Sequence, residues 1–150
     1  MDVRPYSPAD RAACLFVFDS NVPEFFGAQE RAGFEKFLHT PECAYFVMEM
    51  DDGIAGCGGF YVTENKAVAR LVWGMVRREF HRKGLGRFLL LYRLHEIGQA
   101  SGIERVEVST SQLTAPFFAS QGFKTTGVEK DGFGRGLDRV QMTMRLAVCP

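Results

Sequence analysis

Apolar and polar positions along this chain follow two different periods. At the start, Val3, Arg4, Pro5 and Tyr6 form a short extended stretch that predicts a first strand over 3–6. Ala12, Ala13, Leu15, Phe16 and Phe18 then supply the apolar faces of a helix. Ser7 or Asp10 can cap it, Pro8 is tolerated in its first turn, and 19–23 ends it. Phe34, Phe37 and Leu38 stand at helical spacing and predict a second helix over 28–38. The connection carries Glu24, Phe25, Phe26 and Gly27. Two adjacent phenylalanines in a loop are costly to expose, so they either plug the core or line a pocket.

From there the period shortens. Residues 43–50 read as a strand, 51–53 as a tight turn and 54–62 as the return strand. Gly56, Gly58 and Gly59 thin the return strand and mark a bulge or a close backbone approach. A second turn at 64–66 leads to a strand over 67–76, which runs into a glycine-bearing basic turn and a leucine-rich helix through 88–97. Ser101 and Gly102 stop that helix. A fifth strand covers 103–110, a short helix 111–121, and Gly122 and Phe123 open a sixth strand. A glycine-rich loop is expected over 131–136 and a half-buried last strand over 139–146. The order is β-α-α-β-β-β-α-β-α-β-β. A chain of 150 residues suits a single domain over 1–150 around one sizeable core, and 46% hydrophobic residues with 14 phenylalanines give it enough to bury.

The formal net charge is zero, which argues against a nucleic-acid partner held by bulk charge. Cys14, Cys43, Cys57 and Cys149 are widely spaced without a C-x-x-C pair, as expected of reduced thiols in a cytoplasm rather than a disulfide framework or a zinc site. No metal is expected. No apolar run reaches the roughly 18 residues of a membrane span, and no signal-like apolar segment opens the chain. The charge that matters is local. Arg77, Arg78, Arg82, Lys83 and Arg87 crowd the strand-to-helix turn around Gly84 and Gly86. A helix start leaves backbone N–H groups without partners and carries a partial positive charge. Glycines let an anion reach that backbone, so the turn is built for a phosphate, most simply a pyrophosphate. It is neither a Walker A loop, which needs Lys and Ser or Thr after the second glycine, nor a G-x-G-x-x-G dinucleotide turn, because Leu89 occupies the third glycine position.

The stretch Val76-x-x-x-x-His81-x-x-Gly84-Leu85-Gly86 resembles the acyl-CoA loop of the GCN5-related N-acetyltransferases (GNAT), with His81 where that family usually has Gln or Arg. The order of elements is also similar to that family's over nearly the whole chain, with the loop between the fourth strand and third helix. The resemblance implies an α/β fold of the α+β kind: a mostly antiparallel mixed sheet of about seven strands with four helices, splayed between strands 4 and 5. It implies acetyl-CoA as co-substrate and a small-molecule amine or a peptide as acceptor. It also leaves a homodimer, paired through C-terminal edge strands, open.

For the site, the resemblance implies that Arg82, Lys83, Gly84, Leu85, Gly86 and Arg87 hold the pyrophosphate, with His81 as a neighbour. Met75, Val76 and Arg77 would pair with the pantetheine arm, and Ser111, Phe117 and Phe118 would line it. The backbone N–H of Val76 would be the donor to the thioester oxygen. Phe118 stands where many relatives carry a proton-donating Tyr, and Ser111 stands where they carry Asn. The fourth strand has no carboxylate before Glu79. No proton relay is legible, and Glu24, Tyr61, Glu64 and Ser109 are candidates by location alone, with Glu107 and Ser111 beside them. Asn21, Phe25, Phe26, Phe133 and Asp138 would form the acceptor pocket. Two alternatives remain open: a non-catalytic acyl-CoA sensing module on the same fold, and an interaction domain whose turn binds no nucleotide.

Overall fold

The computed structural model describes residues 1–146. Seven strands form a single sheet: β1 (Asp2–Pro5), β2 (Ala44–Met50), β3 (Gly53–Val62), β4 (Val68–Val76), β5 (Arg105–Thr110), β6 (Lys124–Gly134) and β7 (Leu137–Arg145). Their spatial order is β1-β2-β3-β4-β5-β7-β6. Every neighbouring pair is antiparallel except β4 and β5. The helices are α1 (Arg11–Asp19), α2 (Arg31–His39), α3 (Leu85–Gly98) and α4 (Ala115–Ser120). The mixed sheet and four helices match the expected architecture.

Alternation along the strands divides the core into two layers. On one face, Tyr45, Val47, Ile54, Cys57 and Met75 meet Cys14, Val17, Phe18, Phe34 and Leu38 from α1 and α2. On the other, Ala69, Leu71, Val106, Val108, Val140 and Met142 meet Leu90 and Ile97 of α3 and Phe118 of α4. Each large side chain removed from water here contributes about 1.5–3 kcal/mol. Phe26, expected in a pocket or in the core, stacks on Phe18 at 5.0 Å and packs against the first layer.

Two elements differ most from expectation. The glycine-rich stretch 131–136 is mostly strand, because β6 runs to Gly134 and only Arg135 and Gly136 turn the chain. The hairpin is bulged between Glu129 and Gly134, and aspartate side chains replace ladder partners there. Asp138 accepts from the N–H of Asp131 at 3.0 Å, and Asp131 accepts from the N–H of Gly136 at 2.8 Å. The helix expected over 111–121 is shorter, since the carbonyl of Ser111 accepts from the N–H groups of Thr114 and Ala115 and spends the first residues in a turn. Cys14, Cys43 and Cys57 are free thiols, and Cys149 lies outside the described residues.

The first strand and α1 are joined by a buried charge. Asp10 takes two hydrogen bonds from the Arg4 guanidinium, at 2.8 and 2.9 Å, and one from the N–H of Ser7 at 2.9 Å. These bonds, Arg4 foremost, hold its carboxyl below the usual carboxylate range against the opposing effect of burial. The lowered folded value means the stabilisation is complete above about pH 4 and disappears as pH falls through that value. Asp10→Asn is expected to lower stability at pH 7 by roughly 1–3 kcal/mol. In urea titrations the difference from wild type is expected to shrink below about pH 4.

Candidate functional site

The parallel pair parts early. β4 and β5 are in register only from Val68 opposite Arg105 to Arg70 opposite Glu107. Beyond that point β4 continues to Val76 and β5 to Thr110, so β4 presents an unpaired edge toward a wedge-shaped gap. Unpaired backbone groups in such a place are an invitation to an extended, amide-bearing ligand.

The edge of β4 is shaped by a bulge. Cys57 faces Met75 and Gly59 faces Val72, so Trp73 and Gly74 together oppose Gly58. Trp73 has φ of 44°. Its indole packs on Phe34 and Phe37, while its carbonyl accepts from the Tyr45 hydroxyl at 2.7 Å. Tyr45 is deeply buried, and burial raises its pKa well above the usual phenol value, keeping it a neutral donor. A trans peptide carries its N–H opposite its carbonyl. With the Trp73 carbonyl drawn toward the α1/α2 layer, the N–H of Gly74 points to the α3 side of the sheet.

Further along, the N–H of Arg77 donates to Ala55 at 2.8 Å, which makes Val76 and Gly56 a non-hydrogen-bonded pair. The N–H of Val76 therefore faces away from β3. Its carbonyl is already satisfied by Asn21 Nδ2 at 2.9 Å and by His81 Nε2–H at 2.8 Å. Asn21, expected in the acceptor pocket, is 2% exposed and also donates to Val17, so it braces the strand end instead. His81 is likewise a brace, set edge-on to Phe25 at 4.9 Å.

The basic turn divides into committed and free cations. Arg77 is bonded to Glu79 and sandwiched over Phe16 and Phe80 at 5.0 and 5.1 Å. Arg78 pairs with Glu24 at 2.5 Å and lies over Phe25 at 5.2 Å, fastening the turn to the loop after α1. Arg82, Lys83 and Arg87 are exposed and, among the described residues, have no carboxylate in ion-pair range. Gly84 caps α3 with φ of 82°, a left-handed conformation that suits glycine. The first α3 bond runs from Phe88 N–H to Gly84, leaving the N–H groups of Leu85, Gly86 and Arg87 free. A Cβ on Gly86 would stand 3.8 Å from the Phe117 ring, so α4 flanks the gap opposite the start of α3. Ser111 and Phe118 are buried beneath it, with Phe118 in the core and Ser111 turning the chain into α4.

On the other face of the sheet, Arg70 donates to Ser109 and to Gln141 at 3.2 Å, bridging β4, β5 and β7 where the pairing ends. Tyr61 is opposite Arg70 on β3. Gln29, just ahead of α2, donates to the Phe133 carbonyl, and Arg139 lies over the Phe133 ring at 4.7 Å, so the hairpin of β6 and β7 meets the start of α2. Between them is Glu30, whose carboxyl is raised by burial, opposed by the bond from Gly27 N–H and by the charge of Arg139. Glu30 lies one helical turn before Gly33, where a Cβ would be 3.8 Å from the Trp73 ring. Glu64 is displaced from all of this, since it precedes β4 and lies about 26 Å of extended chain from the basic turn. Glu24 is engaged by Arg78, and Asp138 by the hairpin.

Sequence reasoning did not single out Glu30, Tyr45, Gly74 or Arg93. Arg93 is 4% exposed on α3 and sits beneath the bulge, where burial lowers its pKa to about 10. The glycines of β3 were a usable signal of close approach, but not of what approaches. Among the described residues no group of three or more His, Cys, Asp or Glu side chains is arranged to hold a metal, and no helix is long and apolar enough to cross a membrane.

A family model described as an acetyltransferase (GNAT) domain matches residues 17–146. No curated protein matches the chain. Solved structures of similar fold include a protein described as a GNAT-family acetyltransferase from Desulfovibrio desulfuricans, at 23% identity and TM-score 0.82, covering 97% of this chain and 99% of that one. An aminoglycoside 6'-N-acetyltransferase complexed with coenzyme A has 15% identity and TM-score 0.80, covering 100% and 99%. A protein from Salmonella typhimurium described as an acetyltransferase, with acetyl-CoA, has 20% identity and TM-score 0.73, covering 100% and 96%.

The Tyr45 hydroxyl is the tie on the bulge. Tyr45→Phe leaves the Trp73 carbonyl unsatisfied in the core and is expected to lower stability by roughly 1–3 kcal/mol. Urea unfolding measures this, with an unchanged m-value showing that the fold is retained.

Proposed function

The chain belongs to the acetyltransferase (GNAT) family, and we propose that it moves an acetyl group from acetyl-CoA directly to a primary amine of a small molecule or peptide. The observation that carries this is the join of an unpaired β4 edge to a helix start with free N–H groups and three exposed cations that have no carboxylate partner among the described residues. Two proteins of similar fold were solved with coenzyme A or acetyl-CoA.

The residues divide the work by position. The N–H groups of Leu85, Gly86 and Arg87, with Arg82, Lys83 and Arg87 side chains, hold the pyrophosphate. The N–H of Val76 pairs with the pantetheine arm, and Phe117 flanks it. Gly74, rather than Val76, is the better donor to the thioester oxygen, because the bulge turns its N–H to the α3 side of the sheet. Gly74 therefore takes the role expected of Val76, whose N–H lies nearer the loop. The amine enters from the opposite face, bounded by Arg70, Ser109, Phe133 and the start of α2. Glu30 is the carboxylate favoured as base: burial raises its proton affinity, and it lies one turn from the residue that abuts Trp73. Attack forms the C–N bond, the C–S bond breaks toward sulfur, and the amine proton leaves to the base.

Two measurements test this. Gly86→Asp adds a carboxylate where a Cβ meets only ordinary van der Waals contact with Phe117 and where an acidic group suits a helix start, so the fold is expected to persist. Calorimetry is expected to show acetyl-CoA binding by wild type and at least a hundredfold loss in this variant; a wild type that binds no acetyl-CoA refutes the reading. Once an amine library yields an acceptor, Glu30→Gln, which keeps the bond from Gly27, is expected to lower kcat by roughly 10²-fold with little change in melting temperature. An unchanged kcat removes Glu30 from the role.

A further inference from the structure

Arg93 is a buried cation without an anion. It projects from α3 toward the β3–β4 bulge and is 4% exposed. Its one hydrogen bond is long, from Nη1 to the Gly59 carbonyl at 3.4 Å, and its Nε has no partner. Among the described residues no carboxylate lies in ion-pair range of it. The neighbouring titratable side chains are Tyr45, whose phenol burial holds neutral, and the Cys57 thiol. A charge so placed is unfavourable unless something answers it.

The backbone has been cleared for this guanidinium. A Cβ on Gly74 would stand 2.9 Å from both Nη1 and Nη2, and a Cβ on Gly58 would stand 3.1 Å from Gly74 Cα and 3.2 Å from the Arg93 Nη1. Gly74 itself is exposed. The charge therefore lies against Gly74 on the α3 side of the strand, the side to which the bulge turns the Gly74 N–H. Along α3 it stands about 12 Å from Leu85, well away from the pyrophosphate end of the site.

Resting on the proposed acetyl transfer, we infer that Arg93 is a positioning residue for charge, holding a cation beneath Gly74 so that coenzyme A departs as a thiolate without a proton donor. The amine nitrogen forms the C–N bond, and the C–S electron pair goes to sulfur. The amine proton goes to base or solvent, and solvent protonates the thiolate after release. This answers the place of Phe118, which is buried and has no proton to give. The unanswered charge in the free protein is met only when negative charge develops at the gap, so the interaction is weighted toward the transition state.

The test needs no acceptor amine. The thiolate of bound coenzyme A is followed by ultraviolet absorbance against pH, as a difference from the same protein saturated with desulfo-CoA, which cancels the protein's own cysteines. In wild type the thiolate fraction of bound coenzyme A at pH 7.5 is expected to exceed that of free coenzyme A about tenfold. Arg93→Met is expected to bind coenzyme A within about threefold of wild type, to melt no lower, and to return the thiolate fraction to the free value. Arg93→Lys is expected to keep part of the rise. If Arg93→Met does not fold, Arg93→Gln takes its place as the neutral variant. Equal thiolate fractions in wild type and a neutral variant that both bind coenzyme A overturn the inference and leave the proposed function standing. A wild type that does not bind coenzyme A overturns both.

Discussion

The early parting of β4 from β5 is the constraint on which the site depends. A strand inside a sheet normally satisfies both edges, yet β4 beyond Arg70 has only β3. The fold tolerates this because the remaining groups on that edge are either tied internally or left for a ligand. The Val76 carbonyl is tied twice, by Asn21 and His81. The N–H of Val76 faces away from β3 and that of Gly74 leaves the sheet plane at the bulge. The result is two donors at one strand end, which suits a ligand that arrives with carbonyls.

The bulge makes the second half of that arrangement possible. A regular β4 would place Trp73 and Gly74 on alternate faces of an evenly paired strand. Without the extra residue Trp73 would follow Ala69 and Leu71 onto the α3 face; the bulge carries Trp73 and Met75 into the α1/α2 layer and leaves Gly74 toward α3. Tyr45 holds the carbonyl, and Phe34 and Phe37 hold the ring. A large aromatic packed at the core thus fixes the direction of a single N–H some distance away. Rigidity of this kind is what a transition-state donor requires, since a mobile dipole would have to be reoriented during the reaction.

The buried polar groups fall into two kinds. Asp10 and Asn21 each have short hydrogen bonds to backbone or to a charged partner, and the Ser111 hydroxyl accepts from the Leu113 N–H at 3.3 Å, so their purpose is complete within the fold. Arg93 has no such closure. The same contrast divides the basic turn. Arg77 and Arg78 are each held by a carboxylate as well as by aromatic rings, so they hold the turn in place, while Arg82, Lys83 and Arg87 have no carboxylate among the described residues, Lys83 lying over the Phe80 ring at 5.6 Å.

The sequence by itself determined the order of elements, the basic strand-to-helix turn and the helix start with free N–H groups in that turn. These are local properties: period, glycine position and charge act within a few residues, and backbone N–H groups at a helix start are free whatever surrounds them. Only the tertiary structure decided which cations remain free, because the partners Phe16, Glu24 and Phe25 come from the other end of the chain. It alone brought Arg93 under Gly58 and Gly74, and Glu30 beside Arg139. Such meetings depend on strand register, and a bulge of one residue between β3 and β4 changes which face a side chain takes. The glycines of β3 announced that something comes close; what comes close was fixed by the packing of α3 across the sheet.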